Sequence, residues 1–377
     1  MNVLHKNTVG ILFVTIGLLV TCNIYSLIPL YTTIANEMDI VAKDVATGSI
    51  LFTLFYAFGL LVFSPLADSF GRRRIILIGL FVSAITTLLV SFAKTPLPLY
   101  IFRGIQGFSL ASFAPVAFAF SFDIFMEKER TFWIALINAG FLAAGMIGQL
   151  TSAFILQIST WQHVYYFFSA VYLLLFFLGI FILPKVVNHH SKESVKGIIS
   201  QFIKLLRGKI LSKYYSIVFT LLFSFVAYYE ALGYFLPQGD LKVLIQSIGL
   251  LGVFLSVFAG TFISYFSARN TLLIGILLGI GSMILLLFSY SPWFTAFLSI
   301  FFVASIALLI PTIIHLIGTN SGVYRGKALC LYSFLLLIGA SLGSFVASIL
   351  SYRMVLILLI FTFMHNFFVT WKLKRIS

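Results

Sequence analysis

The chain has 377 residues, of which 61% are hydrophobic and 9% charged, with 43 Phe and a mean hydropathy of +1.11. A soluble domain gives about a quarter of its residues to Asp, Glu, Lys and Arg, so this composition excludes a soluble protein and points to a chain that crosses a bilayer many times. A net charge of +14 would suggest a nucleic-acid partner in a soluble chain, but these cations lie in short gaps between apolar runs, where they report topology, and no nucleic-acid partner is expected.

A helical span needs roughly 20 apolar residues. Runs of that kind fall at 9–30, 46–67, 74–93, 97–121, 131–157, 162–183, 214–236, 241–266, 270–289, 292–318, 327–350 and 352–371. The first is read as a span and not as a cleaved signal peptide, because no small-residue cleavage site follows it; it carries Cys22, Asn23 and Tyr25. The second carries Tyr56 and leads to Asp68, Gly71 and the basic run Arg72, Arg73 and Arg74. Span 4 contains Arg103, and an arginine inside an apolar run is a functional-site hypothesis by default. Gln106, three residues on, shares its helical face, and both are expected to turn towards the interface between the two halves of the chain. An arginine snorkelling to the outer surface from the helix start is the alternative. Asp123 closes span 4, and span 5 sets Asn138, Gly145 and Gln149 on one face, where a polar edge can line a path.

The longest stretch outside the spans runs from Pro184 to Lys213, too short for a soluble domain. In it Ile198, Ile199, Phe202, Leu205 and Leu206 recur at helical spacing among Lys204, Arg207, Lys209 and Lys213, the pattern of a helix lying on the inner membrane surface; a solvated linker is the alternative. Span 7 holds Tyr228, Glu230 and Tyr234. A carboxyl in an apolar run can carry a proton, so Glu230 is the first proton-site candidate, with Tyr234 one turn on to hydrogen-bond it; a position at the outer surface, near Asp240, is the alternative. Tyr25, Tyr56, Tyr228 and Tyr332 are candidates for stacking on a substrate, against the commoner roles of packing and facing lipid. Cys22 and Cys330 lie inside apolar runs, and His315 and His365 lack a second ligand nearby, so no disulfide, metal site or cofactor is expected.

With both termini on one side, 19 of the 24 Lys and Arg residues share that side, among them Lys6, the 72–74 loop and the seven of the central loop. Short basic loops stay in the cytoplasm, which predicts a multi-pass cell-membrane protein with both termini cytoplasmic. An internal repeat is also present. Residues 73–79, RRIILIG, match 269–275, RNTLLIG, at an offset of 196, and the same offset carries Pro115 onto Pro311. Arg130 and Arg325 correspond within one residue, and the small-residue steps at Gly145 and Gly148 correspond to Gly339 and Gly343 within two. The expected organisation is a six-helix half over 1–183, a central loop over 184–213 and a second six-helix half over 214–377. Duplicated halves of this kind bind substrate near the bilayer midplane and rock around it.

Three motifs make the chain resemble the major facilitator superfamily over essentially its whole length. The loop after span 2 in that family reads Gly-x-x-x-Asp-basic-x-Gly-basic-basic, and here the segment is Ser64-Pro65-Leu66-Ala67-Asp68-Ser69-Phe70-Gly71-Arg72-Arg73-Arg74, departing at Ser64 and Ser69. The resemblance implies that Asp68, Gly71, Arg72 and Arg73, joined by Asp123, form a cytoplasmic latch that holds one conformation, since a carboxylate can pair with cations and helix N-terminal NH groups. The matching loop of the second half keeps Gly260 and Arg269 but has Ser264 in place of the acid. Arg103-Gly104-Ile105-Gln106-Gly107 is similar to the family's Arg-x-x-Gln-Gly, which ties the arginine to proton coupling. In span 5 only two glycines of the exporter pattern Gly-x-x-x-Gly-Pro-x-x-Gly-Gly remain, in Gly140-Phe141-Leu142-Ala143-Ala144-Gly145-Met146-Ile147-Gly148-Gln149, and close helix packing explains them equally well.

The resemblance implies an all-α membrane protein of twelve transmembrane helices in two six-helix halves related by a parallel repeat, the major facilitator fold. It implies a secondary transporter, not an enzyme, that moves a small-molecule substrate and takes protons as coupling ion, acting as a monomer in the bilayer. The leading expectation is proton antiport exporting an amphiphilic or carboxylate-bearing molecule, for example a metallophore or siderophore-like chelator. Proton-coupled uptake and a multidrug pump for cations are the alternatives, the latter disfavoured because span 1 reads Cys22-Asn23-Ile24-Tyr25 where many cation exporters carry an acid. A membrane-embedded enzyme is the alternative from another class, but the ten acidic residues are scattered. No Gly-x-x-x-x-Gly-Lys-Ser/Thr loop exists for a nucleotide-driven pump.

Overall fold

The computed structural model describes residues 3–185, 195–235 and 239–373. In chain order the helices are α1 (Val3–Tyr25), α2 (Tyr31–Met38), α3 (Ala42–Phe70), α4 (Arg72–Val90), α5 (Pro96–Leu110), α6 (Ala114–Ile124), α7 (Glu127–Ile158), α8 (Trp161–Ile182), α9 (Val195–Arg207), α10 (Leu211–Phe235), α11 (Gly239–Gly249), α12 (Ala259–Phe266), α13 (Ala268–Leu287), α14 (Pro292–Asn320), α15 (Arg325–Ile349) and α16 (Tyr352–Trp371). Among the described residues twelve segments are long and apolar enough to cross a membrane, and every one overlaps a span expected from the sequence. Helices are the economical answer here, because a lipid environment offers the backbone no hydrogen-bond partner.

Proline and glycine set many of the ends. Pro96 and Pro292 occupy the first turn of α5 and α14 after extended residues, where a missing N–H costs nothing. The fourth span is two helices: the chain turns at 111–113, and Pro115, in the first turn of α6, lacks the N–H that would continue α5. Its counterpart Pro311 sits inside an unbroken α14. The eighth span has a nine-residue 3₁₀ stretch, Leu250–Phe258, between α11 and α12, longer than such runs usually persist. Spans 4 and 10 are the most enclosed, with 89% and 83% of their apolar windows buried against 61% at most elsewhere.

The chain forms two compact units, one of 1–125 with 140–194 and one of 126–139 with 195–377. Three helix contacts recur in both units. In the first, α3 packs on α5, α4 on α8 and α4 on α5; in the second, the 3₁₀ stretch packs on α14, α13 on α16 and α13 on α14. Arg73 donates from Nε to Leu183 O at 2.8 Å and from Nη2 to Ile180 O at 2.7 Å, and Arg269, at the repeat offset, donates to Thr370 O at 3.3 Å and Trp371 O at 2.7 Å. Both arginines therefore tie down the orphan carbonyls that end the last span of their own unit. Gly148 lies against the Cys22 carbonyl, and Gly343 against the Phe223 carbonyl. At the opposite end of the first unit, Glu37 of α2 accepts from Trp161 Nε1 at 2.6 Å and Gln162 Nε2 at 3.0 Å, at the positive start of α8.

The repeat also fixes two unusual backbones. Gly71 joins α3 to α4 at φ 99°, ψ 131°, and Ser267, 196 residues later, joins α12 to α13 at φ 74°, ψ 155°. Only glycine adopts such angles without strain, which costs about 1–3 kcal/mol for other residues. Ser267→Gly is expected to stabilise the protein by about 1 kcal/mol after the entropy cost of glycine is counted. Thermal unfolding in detergent checks this, and an unchanged or lowered midpoint contradicts it.

Candidate functional site

The first unit buries a polar network around span 4. Arg103 has no solvent exposure, and neither do Gln106 and Asn23, which rules out an arginine snorkelling to the surface. Arg103 donates from Nη1 to Gln106 Oε1 at 2.7 Å and from Nη2 to the Asn23 carbonyl at 3.1 Å. Its guanidinium carbon stands 4.2 Å from the centre of the Phe52 ring, a cation–π distance. Gln106 Nε2 donates to Asn23 Oδ1 and to Thr87 Oγ1, both at 2.9 Å. Asn23 Nδ2 in turn donates to the Tyr172 hydroxyl, which donates to Leu19 O at 2.8 Å. The result is a directed chain, Arg103 to Gln106 to Asn23 to Tyr172 to backbone, drawn from α1, α5 and α8, with Thr87 of α4 as a branch from Gln106. Arg103 Nε alone has no acceptor, and the partners of the guanidinium are all neutral.

The sequence reading missed three members of this network: Phe52, Thr87 and Tyr172. Tyr172 is one of 17 tyrosines in the chain, and nothing local distinguishes it. Tyr56 is buried and stacked on Phe52, with centroids 6.0 Å apart and planes 11° apart. Tyr25 is half-buried against Gly145.

Asn138 and Gln149 do not join the network. Each donates its side-chain amide to the carbonyl four residues back, Ile134 at 2.8 Å and Gly145 at 2.7 Å. In the second unit Tyr228 is buried and shares a hydrogen bond of 2.5 Å with Ser299, beside Phe302 and Tyr352. Tyr332 is also buried. Glu230 is half-buried near the end of α10, and the Tyr234 side chain lies outside the described residues.

Asp68 and, from the end of α6, Asp123 come together on one arginine of the 68–73 segment. Arg72 pairs with Asp123, donates to Ala119 O at 3.0 Å, and reaches Asp68 Oδ1 at 3.3 Å. Gly71, through its backbone angles, lets α3 and α4 meet tightly enough for this. Arg73 is engaged by the carbonyls ending α8 and not by Asp123. In the second unit Ser264 bonds only locally, to Thr261 O at 2.9 Å, and a different acid is in contact with a base: Glu127 Oε1 lies 3.5 Å from His315 Nε2. Among the described residues no three His, Cys, Asp or Glu side chains gather as metal ligands would.

The Major Facilitator Superfamily profile matches residues 13–244. The chain is 29% identical over 167 residues to the bicyclomycin resistance protein homolog of Haemophilus influenzae, covering 44% of this chain and 41% of that one. It is 33% identical over 108 residues to multidrug resistance protein 3 of Bacillus subtilis, covering 29% and 21%. The chain thus spans less than half the length of either resistance protein. An uncharacterized transporter of Rickettsia felis is 25% identical over 283 residues, 73% of this chain and 69% of that one. Among solved structures, the human organic anion transporter MFSD10 superposes with a TM-score of 0.74 at 16% identity, covering 97% of this chain and 99% of that one, a likeness of fold. The profile covers well over half of the chain and includes the segments that build both the Arg103 network and the Arg72 cluster: the protein belongs to the Major Facilitator Superfamily.

Proposed function

We propose that the protein is a proton-coupled antiporter of the cytoplasmic membrane that exports a small amphiphilic or carboxylate-bearing molecule by alternating access. Residues 1–183 and 214–377 are the two moving halves in this reading, joined by 184–213, with both termini cytoplasmic and the monomer as the working unit. The observation that carries the cargo class is Arg103: a fully buried guanidinium whose partners are neutral and whose Nε has no acceptor. A charge in a site of low dielectric without a counter-charge is costly. A cargo carboxylate that reaches the network when the site opens relieves that cost, whereas a permanent cation adds to it. The outward direction is supported by the two relatives named for resistance.

Protons enter this scheme through Glu230, which can alternate between a charged and a neutral form as the site faces one side and then the other. The Arg72 cluster with Asp68 and Asp123 acts as a latch on the cytoplasmic side, made in one conformation and broken in the other.

Export into everted vesicles tests the proposal with matched anionic, zwitterionic and cationic compounds. Anionic and zwitterionic cargo are expected to accumulate only while a proton gradient stands, and Glu230→Gln is expected to abolish the pH dependence while substrate binding persists. Robust export of the cations alone, unaffected by Arg103→Ala, would overturn the cargo class. Full export with the gradient collapsed and ATP present would overturn the coupling.

A further inference from the structure

The segment leading into span 7 carries an exposed surface that the transport reading does not use. From Val195 to Lys213 it contains five basic residues and no acidic one, and the next carboxylate in the chain is Glu230. Helix α9 is docked and not loosely tethered. Its Leu205 is buried, it packs on α10 and α15, and Gln201 Oε1 accepts from the ammonium of the buried Lys327 of α15. The turn to α10 is closed by backbone hydrogen bonds, Gly208 N to Leu205 O at 3.3 Å and Ser212 N to Gly208 O at 2.8 Å. One face of α9 is therefore fixed against the second unit.

The opposite face has two edges. Ile203 and Leu206, three apart on the helix and 45% and 40% exposed, form an apolar edge, and Ile210 in the turn, 41% exposed, extends it. Arg207, one turn after Ile203, lies beside that edge, Lys204 lies further round, and Lys209 follows in the turn; all three are exposed. Leu211, the next residue, begins a membrane-spanning helix, so the patch stands where the chain enters the bilayer. An apolar edge flanked by cations at that level matches one environment, the boundary between acyl chains and headgroups.

We infer that α9 and its turn form a binding surface for anionic phospholipid headgroups, with Ile203, Leu206 and Ile210 inserted among acyl chains and Arg207, Lys204 and Lys209 paired with phosphate and other headgroup anions. The apolar residues alone would accept any lipid. The cations give the preference for a negatively charged leaflet, whose surface potential favours each nearby Lys or Arg by about 1 kcal/mol. A surface of this kind pins the cytoplasmic end of span 7 to the leaflet and makes the energy of any tilt of α10 depend on lipid charge.

The full-length protein in nanodiscs tests this, and since both membrane faces are open there the result is independent of topology. Cys22 and Cys330 are buried, so an environment-sensitive fluorophore can be directed to Ile203→Cys, with Lys204→Cys as the comparison position. In nanodiscs of mixed phosphatidylglycerol and phosphatidylcholine the label at 203 is expected to be quenched by brominated acyl chains and shielded from iodide, while the label at 204 stays open to iodide. Enrichment of phosphatidylglycerol around the protein is expected to fall about fivefold for each cation removed in Lys204→Gln, Arg207→Gln and Lys209→Gln. Raised salt on the unaltered chain should erase the same preference, which keeps the test sound if the variants fold poorly. Equal iodide quenching at both positions would overturn the insertion. Identical behaviour in pure phosphatidylcholine would overturn the headgroup preference, and shielding that appears only on adding a soluble protein or nucleic acid would assign the surface to another partner.

Discussion

Arg103→Lys is expected to lose most transport, at least about tenfold, while the protein still inserts and folds. The guanidinium serves three partners at once: the Gln106 amide oxygen, the Asn23 carbonyl and the face of Phe52. An ammonium on a flexible stem is a point donor that cannot reproduce that planar geometry. At least one buried acceptor is then left unpaired, and a hydrogen bond to a charged group is worth about 1.5–3 kcal/mol, so one lost bond is enough for a tenfold effect. Tyr172→Phe gives the scale for the far end of the chain. It leaves both hydrogen bonds of Arg103 in place and removes the closer acceptor of the Asn23 amide, which keeps Leu19 O at 3.4 Å, so a smaller loss is expected. Initial export rates, normalised to inserted protein and read beside the unfolding midpoint, separate the two. Wild-type export by Arg103→Lys would remove Arg103 from the transport mechanism.

The parts of this site that were legible in the sequence are those whose chemistry is anomalous for their surroundings. Arg103 stands out in an apolar run, Gln106 shares its face, and Asp68 with Gly71 breaks the pattern of a plain basic loop. The partners contributed by remote helices were not legible, because Phe52, Thr87 and Tyr172 are ordinary residues for a membrane helix and become specific only through packing. Asn138 and Gln149 share a helical face in the sequence, and in the structure each donates its amide to the carbonyl one turn back in its own helix, a bond that periodicity does not report. The repeat was legible through Arg73 and Arg269, whereas their shared task, holding the last carbonyls of α8 and α16, required the tertiary structure. Span 4 reads as one apolar run because hydropathy is blind to the turn at 111–113.

Gly107→Ala is the substitution expected to damage both stability and transport without touching a polar group. A Cβ at Gly107 would run into the backbone of α3, meeting the Phe52 carbonyl oxygen first and its carbonyl carbon and Cα at 2.9 and 3.0 Å. A flexible side chain could yield there, but a helical carbonyl is held in its own ladder, so α3 and α5 must move apart. Lipid supplies no hydrophobic force to press helices back together, and close packing between them is a principal source of cohesion. The displaced residue is Phe52, whose ring carries the Arg103 guanidinium, so a packing defect is transmitted directly to the candidate site. Overpacking of this kind costs about 1–3 kcal/mol. Gly281 of α13 provides the contrast, since a Cβ there meets nothing within 4 Å, and Gly281→Ala should leave stability unchanged or raise it by up to about 1 kcal/mol through helix propensity. Unfolding midpoints in detergent and export rates in vesicles should therefore diverge between the two variants, with Gly107→Ala low in both. Equal midpoints and equal rates would mean that the α3–α5 crossing can relax around a methyl group, and that Arg103 does not depend on the position of Phe52.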